Sequence, residues 1–223
     1  MNRSLKITLA VCAALLIAYA ALRHSVASAA TAVPDPTVDE SLAPQKGQAT
    51  LVVAGGCFWG IQAVFQHVKG VTSATSGYSG GTVKNPNYEQ VSSGETGHAE
   101  SVQIIYDPSQ ITLGQLLKVF FSVAHDPTEL NRQGPDSGTQ SRSAIFFSTP
   151  DQQRIAQAYV QQLDQAEVFS SPIVTQITPF KAFYRAEDYH QNYATLHPDN
   201  PYIATFDLPK VEHLQQQFPN LYH

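Results

Sequence analysis

The hydrophobic pattern changes period just after residue 54. Thr50-Leu51-Val52-Val53-Ala54 is an unbroken apolar run, which reads as a buried strand. Beyond it, Phe58, Ile61, Val64, Phe65 and Val68 recur at i, i+3 and i+4 and predict an amphipathic helix. Gly70 to Thr75 is small and β-branched and reads as a second strand, followed by a Gly/Ser turn through Gly77-Tyr78-Ser79-Gly80-Gly81. Asn85-Pro86-Asn87-Tyr88 continues as loop, and Ser92 to Gly97 is another turn cluster. His98 to Tyr106 alternates as a strand and stops at Asp107-Pro108. Thr112 is placed to cap a helix from Leu113 to Val123 that gathers Leu116, Leu117, Phe120 and Phe121 on one face. His125 to Arg142 is a long polar loop, of a kind that often carries function. Ser143 to Ser148 is a short strand, Thr149-Pro150 opens a helix to Ala166, and Ile173 to Ile177 is a last strand. An aromatic stretch, Phe180 to Tyr184, precedes a short helix starting near Ala186, and Leu208 to Phe218 predicts a final helix.

This order is strand, helix, strand, strand, helix, strand, helix, strand. It predicts an α+β fold, a ferredoxin-like split β-α-β sandwich with extra loops and C-terminal helices. The catalytic domain is expected over residues 49–223.

The N-terminal pattern is different. Ile7 to Leu22 is a mostly apolar run of 16 residues behind Arg3 and Lys6, and Ala27-Ser28-Ala29 fits the small-x-small rule of signal peptidase. A membrane span needs about 20 apolar residues. Residues 1–29 are therefore expected to be a cleaved export signal, giving a periplasmic or secreted protein; the alternative is a membrane anchor formed by residues 7–22. Residues 30–48 carry Pro34, Pro36 and Pro44 with no apolar periodicity and are expected to form a flexible linker.

Cleavage changes the composition in two ways. Lys+Arg falls from 13 to 10 against 18 acids, so the formal charge goes from −5 to −8. That balance, with no basic run, excludes a nucleic-acid binder. Cleavage also removes Cys12, leaving Cys57 alone, and a lone thiol in an exported protein is a candidate reactive one. A monomer is expected.

Cys57 falls at the turn between the first strand and the first helix, in Gly55-Gly56-Cys57-Phe58-Trp59-Gly60. The glycines allow a sharp turn and close approach of Gly56 to a ligand. The N-terminus of the helix would favour a thiolate. Glu100 is the one acid on its strand, Tyr88 a loop tyrosine and Asp136 a loop aspartate; each is equally readable as an ordinary solvated residue. His98-Ala99-Glu100 matches half of a zinc deaminase motif, but no P-C-x-x-C completes it. A site from His98, His125 and Asp126 fits no standard zinc spacing, and no metal is expected. A Cys57 hydrolase served by His98, His125 or His190 stays open.

Eight further blocks decide between these. Gly77-Tyr78-Ser79-Gly80-Gly81, Asn85-Pro86-Asn87-Tyr88, Thr96-Gly97-His98-Ala99-Glu100, Tyr106-Asp107-Pro108, His125-Asp126-Pro127-Thr128, Arg132-Gln133-Gly134-Pro135-Asp136, Gly138-Thr139-Gln140 and Ala186-Glu187-Asp188-Tyr189-His190-Gln191 occur in one order. With Gly56-Cys57-Phe58-Trp59-Gly60, they make the chain resemble the A-type peptide-methionine sulfoxide reductases. The resemblance implies reduction of the S epimer of methionine sulfoxide, free or in proteins, and the ferredoxin-like fold. It implies that Cys57 attacks the sulfoxide sulfur, that Glu100 protonates the oxygen, and that Tyr88 hydrogen-bonds it. Phe58 and Trp59 would hold the methyl group and Asp136 would help organise the site. Cys57 would end as a sulfenic acid. No bound cofactor is implied.

Two features depart from the family. Ser141 stands where a second tyrosine is common, which predicts modestly weakened transition-state binding. The tail from Pro198 to His223 has no recycling cysteine. The reductant must then be external: a thioredoxin- or glutaredoxin-like protein, or a small thiol. These departures leave a second expectation, a non-catalytic binder of Met-rich partners.

Overall fold

A computed structural model describes residues 31–223, so the expected export signal lies outside the described residues. Chain order is β1 (Ala49–Ala54), α1 (Phe58–Gln66), β2 (Val71–Ser79), α2 (Tyr88–Ser92), β3 (Ala99–Tyr106), α3 (Leu113–Val119), β4 (Arg132–Gln133), β5 (Asp136–Ser137), β6 (Ala144–Phe147), α4 (Pro150–Gln165), β7 (Gln176–Pro179), β8 (Phe183–Arg185), α5 (Tyr193–Leu196) and α6 (Leu208–Gln217). The main sheet runs β7-β6-β1-β3-β2-β8. Its four central strands pair antiparallel, which is the split β-α-β arrangement expected from the element order. β7 adds parallel to β6 and β8 antiparallel to β2.

The apolar periodicity is realised in α1, whose Phe58, Ile61, Val64 and Phe65 are fully buried. Burying each such side chain stabilises the fold by roughly 1.5–3 kcal/mol. Thr112 and Thr149 cap α3 and α4 as their positions predict, each accepting from a backbone N–H three residues on. α3 does not run regularly to Val123: it widens into a π-helical turn over Phe120–Ala124.

Several boundaries differ from the sequence pattern. β2 continues through Gly77-Tyr78-Ser79, because β3 and β8 hydrogen-bond to both its edges. The last core strand is displaced to Gln176–Pro179, where it pairs with β6. Tyr88 is not in a loop but opens α2, where Asn87 and Gln90 form a capping box.

Residues 31–48 have no helix or strand, yet they do not hang free of the domain. Val33 is buried. The Tyr159 hydroxyl donates to the Pro34 carbonyl at 2.7 Å, and Lys118 pairs with Asp35 at 2.7 Å. Asp39 accepts from Gly114 N at 2.8 Å and from the Thr112 hydroxyl at 2.5 Å, and Glu40 accepts from Leu113 N at 3.0 Å. The flexible-linker expectation failed because prolines fix the backbone while the acids find N–H partners at the start of α3.

Candidate active site

β1 and β3 run antiparallel with Ala54 opposite Ser101, so the end of β1 lies beside the start of β3. Cys57 follows β1 and Glu100 is the second residue of β3. The sheet thus brings together two residues 43 positions apart in sequence. Cys57 is the N-cap of α1, and the next N–H of that helix, Phe58 N, donates to Glu100 Oε2 at 3.2 Å.

A cavity of about 200 Å³ opens between them, lined by Cys57, Phe58, Trp59, Tyr88, Glu100, Asp136 and Tyr202. Six of these are the sequence-predicted residues. Gly56, expected to touch a ligand, does not line it. Its φ is +87°, and an added Cβ would stand 2.5 Å from Gln133 Cγ, so this glycine serves the turn and the packing of Gln133.

The electrostatics differ from the expectation at Cys57. Burial pushes the thiol well above its ordinary pKa, and the nearby Asp207 and Glu100 carboxyls add to this; Lys210 and the Trp59 N–H pull the other way. A protonated thiol, not a thiolate, is the resting state, because desolvation outweighs the helix terminus. Burial also pushes the Glu100 carboxyl up to about 8, against the pull of the Phe58 N–H. Glu100 is therefore mostly a neutral acid at pH 7. Its Oε2 accepts from the backbone, which leaves Oε1 to carry the proton. Burial and the neighbouring Glu100 raise Tyr88, so its hydroxyl stays a donor.

The block Ala186 to Gln191 builds the rest of the pocket. Glu187 accepts from the Tyr78 hydroxyl at 2.7 Å and from Tyr88 N at 2.9 Å, and so fixes where Tyr88 starts its helix. His190 Nδ1 accepts from Trp59 Nε1 at 3.2 Å. Trp59 then stacks on Tyr193 at 3.9 Å between ring centroids, which holds the indole as a wall. Gln191 is buried and clasps β2 through Ser76 N and Ser76 O.

The histidines proposed for a hydrolase have other tasks. His98 bonds Gly81 N and Val83 O, and His125 bonds Phe120 O and Ser143 Oγ. Burial lowers His125 to about 3, which makes it a weak base, and lowers His190 as well, whose Nδ1 is taken up by the Trp59 indole. Among the described residues no group of acids, cysteines and histidines is placed to hold a metal ion.

Comparison with known proteins agrees with this geometry. The model of the family described as peptide methionine sulfoxide reductase matches residues 49–221. The chain belongs to that family. It is 60% identical over 185 residues to the peptide methionine sulfoxide reductase MsrA 2 of Mesorhizobium japonicum, covering 83% of this chain and 94% of that protein. It is 50% identical to the MsrA 2 of a Synechocystis species, covering 83% and 88%. Among solved structures, it resembles reduced Mxr1 from Saccharomyces cerevisiae with a TM-score of 0.63 at 31% identity, covering 76% of this chain and 95% of that one. Methionine sulfoxide reductase A of Corynebacterium diphtheriae gives 0.60 at 34%, covering 76% and 88%. The chain is a peptide-methionine sulfoxide reductase of the A type.

In this reductase, sequence reasoning missed three residues. Tyr202 lines the cavity from the turn before α6 and donates its hydroxyl to Asp136 Oδ2 in a short bond. Asp207 is fully buried beside Gly60, where an added Cβ would stand 2.1 Å from its Oδ1. Lys210 Nζ pairs with that same oxygen at 3.1 Å. Tail spacing gave no signal for any of them, since they meet the site only after α6 packs on α1. Ser141 is buried in a 3-10 turn, Thr139–Ser141, and does not line the cavity.

Proposed function

We propose that this reductase returns the S epimer of methionine sulfoxide to methionine through a Cys57 sulfenic acid. The observation that carries the reading is a small cavity lined by a buried thiol, a neutral carboxylic acid and four aromatic rings. A sulfoxide sulfur is a poor electrophile until its oxygen is protonated. The Glu100 carboxyl, held by Phe58 N–H, supplies that proton from Oε1, and the Tyr88 hydroxyl donates to the same oxygen. Phe58 and Trp59 take the methyl group. Tyr202 fixes the Asp136 carboxylate. The Cys57 sulfur attacks the sulfonium-like centre, its own proton restoring Glu100. The hydroxyl then passes from the substrate sulfur to the Cys57 sulfur: the substrate S–O bond and the new S–S bond break, the Cys57 S–O bond forms, and methionine leaves. Thiol plus sulfoxide become sulfenic acid plus thioether, so the step is balanced without a further reagent.

An external thiol then restores Cys57. Export through residues 1–29 sets the setting as the repair of oxidised proteins outside the cytoplasm. Mass spectrometry of the mature N-terminus checks this: a chain still starting at Met1 would overturn cleavage.

The test of the chemistry is a single turnover on residues 31–223. Reduced protein is mixed with N-acetyl methionine S-sulfoxide and no added thiol. About one methionine released and one thiol lost per protein, with a trapped sulfenic acid at Cys57, is the expected result for a single nucleophile. No methionine released would leave the binding reading in its place.

A further inference from the structure

Cys57 stands at the junction of two cavities. The first is the aromatic pocket with Glu100. The second, of about 410 Å³, is lined by Cys57 on one side and by Lys210, Arg132, Asp126 and Glu129 among others. Tyr202, tied to Asp136, is common to both linings and forms a wall between them. We propose that the second cavity binds a small zwitterionic thiol, of the amino-acid or peptide class, which reduces the Cys57 sulfenic acid. This rests on the reductase reading above.

Three observations carry it. The first is access. Cys57 lines the second cavity as well as the Glu100 pocket, so a thiolate held in the second cavity reaches the sulfur without entering the pocket that receives the sulfoxide. The second observation is need. Among residues 31–223 Cys57 is the only cysteine, so no thiol of this segment can do the work.

The third is charge and size. The Lys210 side chain is only 12% exposed and its Nζ is held by the buried Asp207 at 3.1 Å. Only a group small enough to enter reaches that ammonium, which favours a small thiol over the surface of a protein. Arg132 lies further out, 55% exposed, in an ion pair with Glu129 at 3.3 Å. An exposed pair of this kind exchanges partners readily. Asp126 accepts from Thr128 N and Thr128 Oγ1, and Glu129 accepts from Gly134 N. Both signs of charge thus face one space, which suits a ligand with a carboxylate and an ammonium better than a simple anion. The volume falls in the range of about 300–1,000 Å³ usual for small-molecule sites.

The step balances. The ligand thiolate forms an S–S bond to Cys57 as the S–O bond breaks, and the departing hydroxyl takes one proton from Glu100 to leave as water. A second ligand thiolate attacks the ligand sulfur of the mixed disulfide, releasing the Cys57 thiolate. Two thiols are oxidised to one disulfide and the sulfenic sulfur gains two electrons.

The experiment isolates this half-reaction. The sulfenic acid is formed by one substrate turnover, counted by methionine released, freed of substrate, and mixed with glutathione, N-acetylcysteine or dithiothreitol. Rate constants are compared per thiolate. Glutathione is expected to react about tenfold faster than dithiothreitol, with N-acetylcysteine between, because charge contacts at a buried site are worth at least a factor of that order. The exposed-site variant Arg132→Gln is expected to cut the glutathione rate about fivefold and spare dithiothreitol. Equal rates for the three thiols, or a loss shared by all three in the variant, would overturn the proposal. So would re-reduction by a thioredoxin-fold protein while small thiols stay idle. Failure to release methionine in the first step would instead overturn the reductase reading.

Discussion

At the scale of single residues, Glu100 controls both activity and stability. Its carboxyl is raised from 4.5 to about 8 by burial. A catalytic acid of this kind is active while protonated, so kcat/KM is expected to fall as pH rises through about 8. The stability sign comes from linkage. The folded state holds this proton more tightly than the unfolded chain, so the contribution is full below the unfolded value and is lost as pH rises toward the folded one. Glu100→Gln should abolish that loss: the variant is expected to gain on the order of 2 kcal/mol near pH 7 while losing at least a factor of about 100 in kcat/KM. Urea unfolding at pH 5 and pH 8 with activity at each pH checks both; a variant as pH-sensitive as the wild type would refute the assignment. Ser141 behaves otherwise. The pattern predicts a weakened site, but Ser141 is buried away from the cavity. Ser141→Tyr is expected to leave kcat/KM unimproved and to cost about 1–3 kcal/mol by overpacking, measured by thermal melting. Cys57 was legible from its two glycines and two aromatics. Its protonation was not, because that depends on the desolvation and carboxyls around it rather than on the helix it begins.

At the scale of elements, the site is assembled by pieces that carry no chemistry themselves. The tail segment around Tyr202 supplies a tyrosine to the cavity, and its hydroxyl donates to Asp136 Oδ2, which lines the same cavity. Tyr202→Phe is therefore expected to lower kcat/KM about tenfold or more, with little change in the melting temperature relative to a core deletion. Steady-state kinetics on N-acetyl methionine S-sulfoxide would show it, and unchanged kcat/KM would place Tyr202 as a mere wall. α2 makes a related point. Pro86 and two asparagines read as loop, yet Asn87 caps a short helix whose first residue is Tyr88, because Glu187 accepts from Tyr88 N across 99 positions of sequence. The local signal was right about the turn and blind to the distant partner that sets Tyr88 at the start of a helix.

At the scale of the whole molecule, the segment 31–48 is a strap. Its acids meet the N–H groups at the start of α3, and Pro34 meets Tyr159 on α4. Asp39→Ala, which strips acceptors from Gly114 N and the Thr112 hydroxyl, is expected to cost about 0.5–2 kcal/mol, like loss of a helix cap. Chemical unfolding of that variant, with no change of midpoint, would make the segment the linker its composition suggests. The sequence by itself determined the β-α-β-β-α-β order of the core and the antiparallel sheet that this order dictates, because periodicity is a local property, and its ordered motifs, through the family resemblance they carry, named six of the seven residues around the cavity. Only the tertiary structure decided that Cys57 rests protonated, that Tyr202 and the Asp207–Lys210 pair reach the site, and that a second cavity opens on the same sulfur. Each of these depends on which groups are excluded from water and which become neighbours across the fold, and neither is written in the spacing of residues along the chain.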